Sequence, residues 1–124
     1  MKKIIASPEA PKAVGPYSQA VSAAGLLFVS GQLPINPSTG KMAEGIEAQT
    51  RQSLENVSAI LREAGTGCDA VVKTTVLLSD IANFGAMNAV YAGYFPSDAP
   101  ARACFQVAAL PMGALVEIEA VAEL

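Results

Sequence analysis

The strand pattern near the end of the chain is the feature that most constrains the fold. Between positions 116 and 122, apolar residues alternate with two acids, in the order Val116, Glu117, Ile118, Glu119, Ala120, Val121 and Ala122. Successive side chains of a β-strand point to opposite faces of the sheet. The segment therefore predicts a sheet with one face packed under other elements and an opposite face that carries the two acids.

Two segments have the helical periodicity needed to cover such a face. Apolar residues recur on one stripe in each of Ile46–Ala64 and Ile81–Phe95. The first stripe consists of Ile46, Leu54, Val57, Leu61 and Ala64, and the second of Phe84, Met87, Val90, Tyr91, Tyr94 and Phe95. Gly65 follows the first segment and is a common helix stop, while Asp80 is a candidate N-cap for the second and Pro96 ends it. We predict one helix in each segment.

The remaining apolar segments predict six strands, at Lys2–Ala6, Gln19–Ala23, Leu26–Gly31, Val71–Ser79, Ala101–Ala108 and Ala114–Ala122. The second and third flank Ala24-Gly25 and predict a hairpin. The last two flank a turn-forming stretch at Leu110–Gly113 and predict a second hairpin. The order β-β-β-α-β-α-β-β in 124 residues predicts one α+β domain spanning residues 1–124, with a mainly antiparallel sheet and both helices on one face. The bare face predicts association with other copies.

Composition excludes several classes of function. The chain has no histidine, which removes Ser-His-Asp and Cys-His catalysis and any histidine-ligated metal. A net charge of −3 disfavours a broad nucleic-acid surface. The two cysteines form no disulfide framework or zinc motif and suit a reducing compartment. No segment predicts a membrane span, so we expect a cytoplasmic protein.

The second hairpin determines which polar side chains should meet. With a turn centred near Leu110-Pro111, Cys104 would lie opposite Glu117 and Arg102 opposite Glu119. Arg, Cys and Glu would then cluster on the face that the helices leave bare. Arg102 is isolated among acids and needs a planar anionic partner, which is either Glu119 or Glu117 in a structural salt bridge or the carboxylate or phosphate of a ligand.

The other candidate residues also allow two interpretations each. Glu117 is either an exposed strand glutamate or, if partly buried, a general acid or base, because desolvation raises a carboxyl pKa. Cys104 alone is more often a small core residue than a nucleophile. Tyr17 is a packing tyrosine or a pocket residue. Ser30-Gly31 is a bend or bulge, or a place where a ligand approaches the backbone. Asn88 is a capping or surface amide, or lines a site.

Several motifs together resemble a known family. They are Gly15-Pro16-Tyr17-Ser18-Gln19-Ala20, Val29-Ser30-Gly31-Gln32-Leu33-Pro34, Gln49-Thr50-Arg51-Gln52, Leu54-Glu55-Asn56, Val72-Lys73-Thr74-Thr75-Val76, Pro100-Ala101-Arg102 and Val116-Glu117-Ile118-Glu119-Ala120-Val121-Ala122. In this order and spacing they are similar to those of the RidA/YjgF family of reactive-intermediate (enamine/imine) deaminases, once grouped with endoribonuclease L-PSP.

The resemblance implies a chorismate-mutase-like α+β fold and a homotrimer with pockets between subunits. It implies hydrolysis of 2-imino acids, such as 2-iminopropanoate and 2-iminobutanoate, to 2-keto acids and ammonia, without a cofactor or a metal. The imines would come from PLP-dependent dehydratases. By motif match, Arg102 would pair with the substrate carboxylate and Glu117 would position and activate water. The matching pocket positions are Tyr17, Ser30, Gly31, Asn88 and Cys104.

Three rival functions remain open at this point. RNA cleavage, an activity attributed to some members of the family, is poorly supported by eight cations against eleven acids and no histidine. A trimer that binds a small molecule without catalysis would use the same arginine. A purely structural trimer would leave Arg102 paired with Glu119 and have no cavity.

Overall fold

A computed structural model describes residues 1–124 and has the predicted order of elements. The strands are β1 (Lys3–Ile5), β2 (Ala20–Ala23), β3 (Leu26–Gln32), β4 (Val71–Leu78), β5 (Ala101–Gln106) and β6 (Val116–Glu123). The α-helices are α1 (Ile46–Glu63) and α2 (Phe84–Tyr94), and short 3-10 turns cover Cys68–Ala70, Ile81–Asn83 and Pro111–Gly113. The expected α+β class with six strands and two helices is confirmed. No helix in the structure combines the length and apolarity that crossing a membrane requires.

The helix ends follow the predicted signals closely. Gly65 adopts a φ of 85° after α1, a left-handed conformation that glycine reaches without strain. Asp80 accepts a hydrogen bond from the Ala82 amide at 2.9 Å, but it caps the 3-10 turn Ile81–Asn83 that precedes α2. The second helix is therefore shorter at its start than the sequence predicts.

One sheet contains all six strands, in the order β1-β2-β3-β6-β4-β5. Every pairing is antiparallel except that of β4 with β5, which is parallel. The predicted hairpin of β2 and β3 is present, with Ala24 and Gly25 both at positive φ as a two-residue hairpin turn requires. The core lies between the helices and one sheet face, where Val116, Ile118 and Ala122 are completely buried.

The predicted hairpin of β5 and β6 is wrong, because β4 lies between these two strands. The helix α2 is the long crossover that parallel strands need, and it brings β5 to the outer edge of β4. The chain then passes across the end of β4, where Val107 N donates to Leu78 O and Ser79 N donates to Leu115 O. It returns as β6 on the other side of β4.

Because β4 lies between β5 and β6, Arg102 and Cys104 lie on the sheet face opposite to the predicted one. Arg102 is in register with Thr74 on β4, and Thr74 is in register with Ala120 on β6. Thr74 and Ala120 are buried on the helix-covered face. Arg102 and Cys104 therefore do not lie opposite Glu119 and Glu117. The two acids do occupy the bare face, as their alternation predicts.

Candidate functional site

One half of the candidate site is the guanidinium of Arg102, at the edge strand β5 beside α2. Arg102 donates a hydrogen bond from Nη1 to Asn88 Oδ1 at 2.7 Å. Its guanidinium carbon lies 5.4 Å from the ring centre of Phe84 and 4.8 Å from that of Tyr91. These contacts hold the side chain by cation–π attraction and one neutral acceptor, so its charge is not cancelled. The sequence leaves open whether Asn88 is a capping or surface amide or lines a site, and in the structure it orients the arginine.

No carboxylate of the chain pairs with Arg102. The ion pair in the structure joins Arg62 to Glu9 at 3.6 Å, on exposed side chains elsewhere. The structural salt bridge from Arg102 to Glu119 or Glu117 is therefore absent. A guanidinium has five N–H donors in a planar fork, and only one is used here. The remaining edge can bind a planar anion.

Cys104 lies two residues along β5 from Arg102, on the same face, and packs against the core. Burial raises the pKa of its thiol, and the nearby Arg102 charge opposes this less strongly. The thiol form is a poor nucleophile. The structure therefore favours the packing interpretation of Cys104.

The other half of the candidate site is a cavity of about 610 Å³ that contains Glu117. Four of the predicted residues line it together: Tyr17, Ser30, Gly31 and Glu117. Apolar side chains complete the wall, among them Val14, Leu33 and Met112. The side chain of Asn56 on α1 donates to the carbonyls of Leu33 and Ile35, at 3.1 and 3.0 Å, and fixes the loop that forms this wall.

The carboxyl of Glu117 lies directly across the backbone of Gly31. A Cβ added at Gly31 would overlap Glu117 Oε2 and come within 2.9 Å of the carboxyl carbon. Gly31 lies where the pairing of β3 with β6 shifts, between Val29 and Gln32, and its φ is not positive. Glycine is needed here for space. The close approach that the sequence predicts is made by a side chain of the same protein.

The carboxyl of Glu117 is partly buried, and its pKa is raised above the ordinary glutamate value. Burial is the larger cause, since it disfavours the charged form, and the charge of Glu119 adds to it. The two strand acids differ in burial, since the side chain of Glu117 is partly buried and that of Glu119 is exposed. A carboxyl with a raised pKa in a cavity is a candidate general acid or base.

Tyr17 and Ser30 have different parts in forming the cavity. Tyr17 is 51% exposed and lines the cavity, so the interpretation as a buried packing residue is wrong. Ser30 Oγ donates to Ser18 O at 2.6 Å and ties the turn that carries Tyr17 to β3. The hydroxyl of Ser30 thus positions the turn that carries Tyr17, and Ser30 itself lines the cavity.

Sequence reasoning assigned no role to Gln19, Phe84 or Tyr91. Gln19 is buried, accepts from Ser7 N at 2.6 Å and donates to Pro11 O at 2.8 Å, which fixes the segment that forms one cavity wall. In the sequence, its place in the Gly15–Ala20 motif indicates a role. Phe84 and Tyr91 were assigned to the apolar stripe of the helix, and only the contact with Arg102 reveals their second role.

The two halves lie on opposite faces of the sheet and cannot meet within one chain. Arg102, Asn88 and Cys104 are on the helix-covered face at the β5 edge, while Glu117 lies on the bare face. The structure thus groups the predicted residues into two sets. No group of three side chains with metal-ligating atoms is present.

We expect Gly31→Ala to reduce kcat/KM for the imine hydrolysis that the motif resemblance implies by about 10²-fold, because a displacement of about 1 Å at a reacting group has effects of this size. The added methyl must push the Glu117 carboxyl aside. Steady-state kinetics and the melting temperature should be measured together. Gly93→Ala is the matched control, since nothing lies within 4 Å of a Cβ added there. Wild-type kinetics in Gly31→Ala would show that the position of the carboxyl is unimportant.

The architecture places the chain among α+β proteins with two helices on one face of a six-stranded sheet and the other face bare. Residues 7–124 match the family model described as endoribonuclease L-PSP. The chain is 56% identical over 122 residues to the RutC family protein y4sK of Sinorhizobium fredii, covering 97% of this chain and 96% of that protein.

Two further comparisons cover almost the same length. The chain is 47% identical over 123 residues to the mouse protein named 2-iminobutanoate/2-iminopropanoate deaminase, covering 98% of this chain and 91% of that one. It superposes on Escherichia coli TdcF with bound serine with a TM-score of 0.95 at 42% identity, covering 98% of each chain. The chain belongs to the endoribonuclease L-PSP (RidA/YjgF) family, as its motifs predict.

Proposed function

We propose that this chain is a deaminase that hydrolyses small 2-imino acids, such as 2-iminopropanoate and 2-iminobutanoate, to 2-keto acids and ammonia. The observation that carries the proposal is the guanidinium of Arg102, held by α2 and free of any protein carboxylate. Every such substrate has a carboxylate next to the reacting carbon. A relative with 47% identity is named for this reaction, and the solved structure of another holds serine, an amino acid with the same carboxylate.

The proposed chemistry divides between the two halves of the site. Arg102 binds the substrate carboxylate with its unused N–H edge, which fixes the neighbouring C=N carbon. Glu117 accepts a proton from a water molecule as the oxygen of that water bonds to the C=N carbon. The C=N π bond breaks and the nitrogen takes up this proton. The added hydroxyl then passes its own proton to the nitrogen through Glu117 as the C=O bond forms, and the nitrogen leaves as ammonia. Water addition and ammonia loss balance the reaction, so it proceeds with no cofactor, metal or covalent intermediate.

The position of the two halves supports a site shared between copies of the chain in a homotrimer. Arg102 and Glu117 lie on opposite sheet faces, so a single chain cannot present both to one substrate. The bare face exposes 46% of Phe28 and 49% of Phe105, an apolar surface that a second copy would cover. We therefore propose that one copy supplies Arg102 and Asn88, and a neighbour supplies Glu117 and Gly31.

A coupled assay tests the activity directly. A PLP-dependent threonine dehydratase releases 2-iminobutanoate, and added chain should raise the rate of 2-oxobutanoate and ammonia formation above the spontaneous rate. A binding trimer without catalysis would bind 2-oxobutanoate and leave the rate at its spontaneous value. That result would refute the deaminase proposal while keeping the site.

Mixed assembly tests the shared site. Arg102→Ala and Glu117→Gln chains, each inactive alone, should recover about a quarter of wild-type activity when refolded together in equal amounts, since random association of identical subunits pairs one intact Arg102 with one intact Glu117 at about that frequency. The measurement is specific activity of the isolated mixed oligomer. No recovery above either parent would place both groups in one chain.

RNA cleavage is less well supported by the site than imine hydrolysis. The cavity that holds Glu117 also contains Glu119, so two acids would face a polyanion. The chain has 8 Lys and Arg against 11 Asp and Glu. Incubation with single-stranded RNA in the presence and absence of 2-oxobutanoate separates the two functions.

A further inference from the structure

Three side chains of α2 that contact Arg102 have different chemistries. Phe84, Asn88 and Tyr91 are four and three residues apart, a spacing that places them on one helix face. Asn88 accepts from the guanidinium, while the two aromatic rings approach its carbon at 5.4 and 4.8 Å. The direction of the free N–H edge depends on all three contacts.

Tyr91 is the rigid member of the three. It is 7% exposed, and its ring packs against Phe95 with centroids 4.7 Å apart. Its hydroxyl lies 2.6 Å from Thr74 Oγ1, which is 1% exposed. Phe84 is 38% exposed, and its ring has no polar group that could anchor it. The ring of Tyr91 is therefore fixed from both ends.

Thr74, which makes this hydrogen bond, lies on the strand that pairs with the strand of Arg102. It stands on β4 directly in register with Arg102 on β5. Tyr91 thus bridges from the strand next to Arg102 to the guanidinium itself. Valine and phenylalanine have nearly the same shapes as Thr74 and Tyr91 and would fill this space without polar groups. Because a buried hydroxyl without a partner is costly, the hydroxyls of Thr74 and Tyr91 must stay within hydrogen-bond distance of each other. This requirement restricts the tilt of the Tyr91 ring.

We propose that Tyr91 is a positioning residue that acts through Arg102, with the Thr74–Tyr91 hydrogen bond fixing the ring that orients the guanidinium for carboxylate binding. The proposal rests on the proposed function for the identity of the carboxylate. Loss of the hydroxyl leaves the charge of Arg102 and the water-activating Glu117 unchanged. Its effect therefore falls on substrate binding more than on the chemical step.

The test uses Tyr91→Phe, Thr74→Val and the double variant in the full-length protein. We expect each single variant to raise KM about tenfold, the equivalent of one hydrogen bond, with kcat changed less than about threefold. The double variant should raise KM no further, since the two hydroxyls act as a unit. It should also regain most of any melting temperature lost in the single variants, because no buried hydroxyl is left unpaired.

Tyr94→Phe is the matched control on the same helix. Its hydroxyl donates to Glu55 Oε2 at 2.5 Å, on the side of α2 that faces α1, and makes no contact with Arg102. We expect wild-type KM and kcat. An unchanged KM in the double variant overturns the positioning role. The role is also overturned if kcat falls by the same factor as KM rises and both changes follow the melting temperatures of the variants.

A binding measurement separates this proposal from the proposed function. Calorimetric titration with 2-oxobutanoate, a stable 2-keto acid, reports carboxylate binding without turnover. If the wild-type chain binds it and Tyr91→Phe binds about tenfold more weakly, positioning stands even where no imine is hydrolysed. Equal affinity in the wild type and the double variant refutes positioning even where hydrolysis is fast.

Discussion

Arg102→Ala is expected to lower kcat/KM for 2-iminobutanoate by about 10²–10⁴-fold, which corresponds to losing two hydrogen bonds to a charged group. The guanidinium has no other anionic partner in the chain, so its binding capacity is available to the substrate. Arg102→Lys should recover little, because an ammonium cannot present two parallel N–H donors to a carboxylate. The coupled dehydratase assay measures both variants.

The control for this variant is Arg62→Ala, which removes an arginine whose side chain is 58% exposed and pairs with Glu9 on the surface. It should keep wild-type turnover, since exposed ion pairs contribute little. Arg102→Ala should remain folded, because it removes two cation–π contacts and leaves without its partner only Asn88, whose side chain is partly exposed. Near-wild-type turnover in a folded Arg102→Ala oligomer would show that the substrate carboxylate binds elsewhere.

Local pattern was sufficient to predict most elements of this fold. The alternation in β6 identified its buried face, and the stripe in α1 identified Leu54, Val57 and Leu61 as core residues. Such patterns depend on neighbours a few residues away. The pairing of β5 with β4 depends on residues separated by a whole helix, and the four-residue turn-forming stretch Leu110–Gly113 gave a misleading local signal for a hairpin.

The same limit explains what was right and wrong about the site. Two features can be recognised within single strands: Arg102 has few other cations near it in the sequence, and Glu117 alternates with apolar residues that point to the other face of the sheet. Whether two strands present their residues on the same face depends on which strand lies between them, and here β4 places Arg102 and Glu117 on opposite faces. The Thr74–Tyr91 hydrogen bond has no local signature at all, since each residue fits an ordinary buried pattern.

The raised pKa of Glu117 gives the activity a predictable dependence on pH. A general base must be deprotonated, so kcat/KM should rise with pH through the pKa of Glu117, at higher pH than for an ordinary glutamate. Glu119→Gln removes the like charge that contributes to the shift, so this rise should move to lower pH with kcat little changed. Lys12 and Tyr17 are the other ionisable groups that line the cavity. A profile that is the same in Glu119→Gln and the wild type would show that another group controls the rise.

Glu117→Gln is expected to lower kcat by about 10²–10⁴-fold, the usual contribution of a positioned acid or base, with a smaller change in KM. The amide has the shape of the carboxyl and fits the same space above Gly31, so the fold is retained.

The effect of Glu117→Gln on the free energy of unfolding depends on pH, because folding raises the pKa of the Glu117 carboxyl. A carboxyl whose pKa is raised on folding contributes stability at pH below its ordinary pKa, and that contribution is lost as pH rises through the folded value. At a pH above its raised pKa, Glu117 therefore does not stabilise the chain, and Glu117→Gln should melt no lower than the wild type there. Loss of activity without loss of stability separates a catalytic carboxyl from a structural one, whereas wild-type kcat in this variant would remove Glu117 from the mechanism.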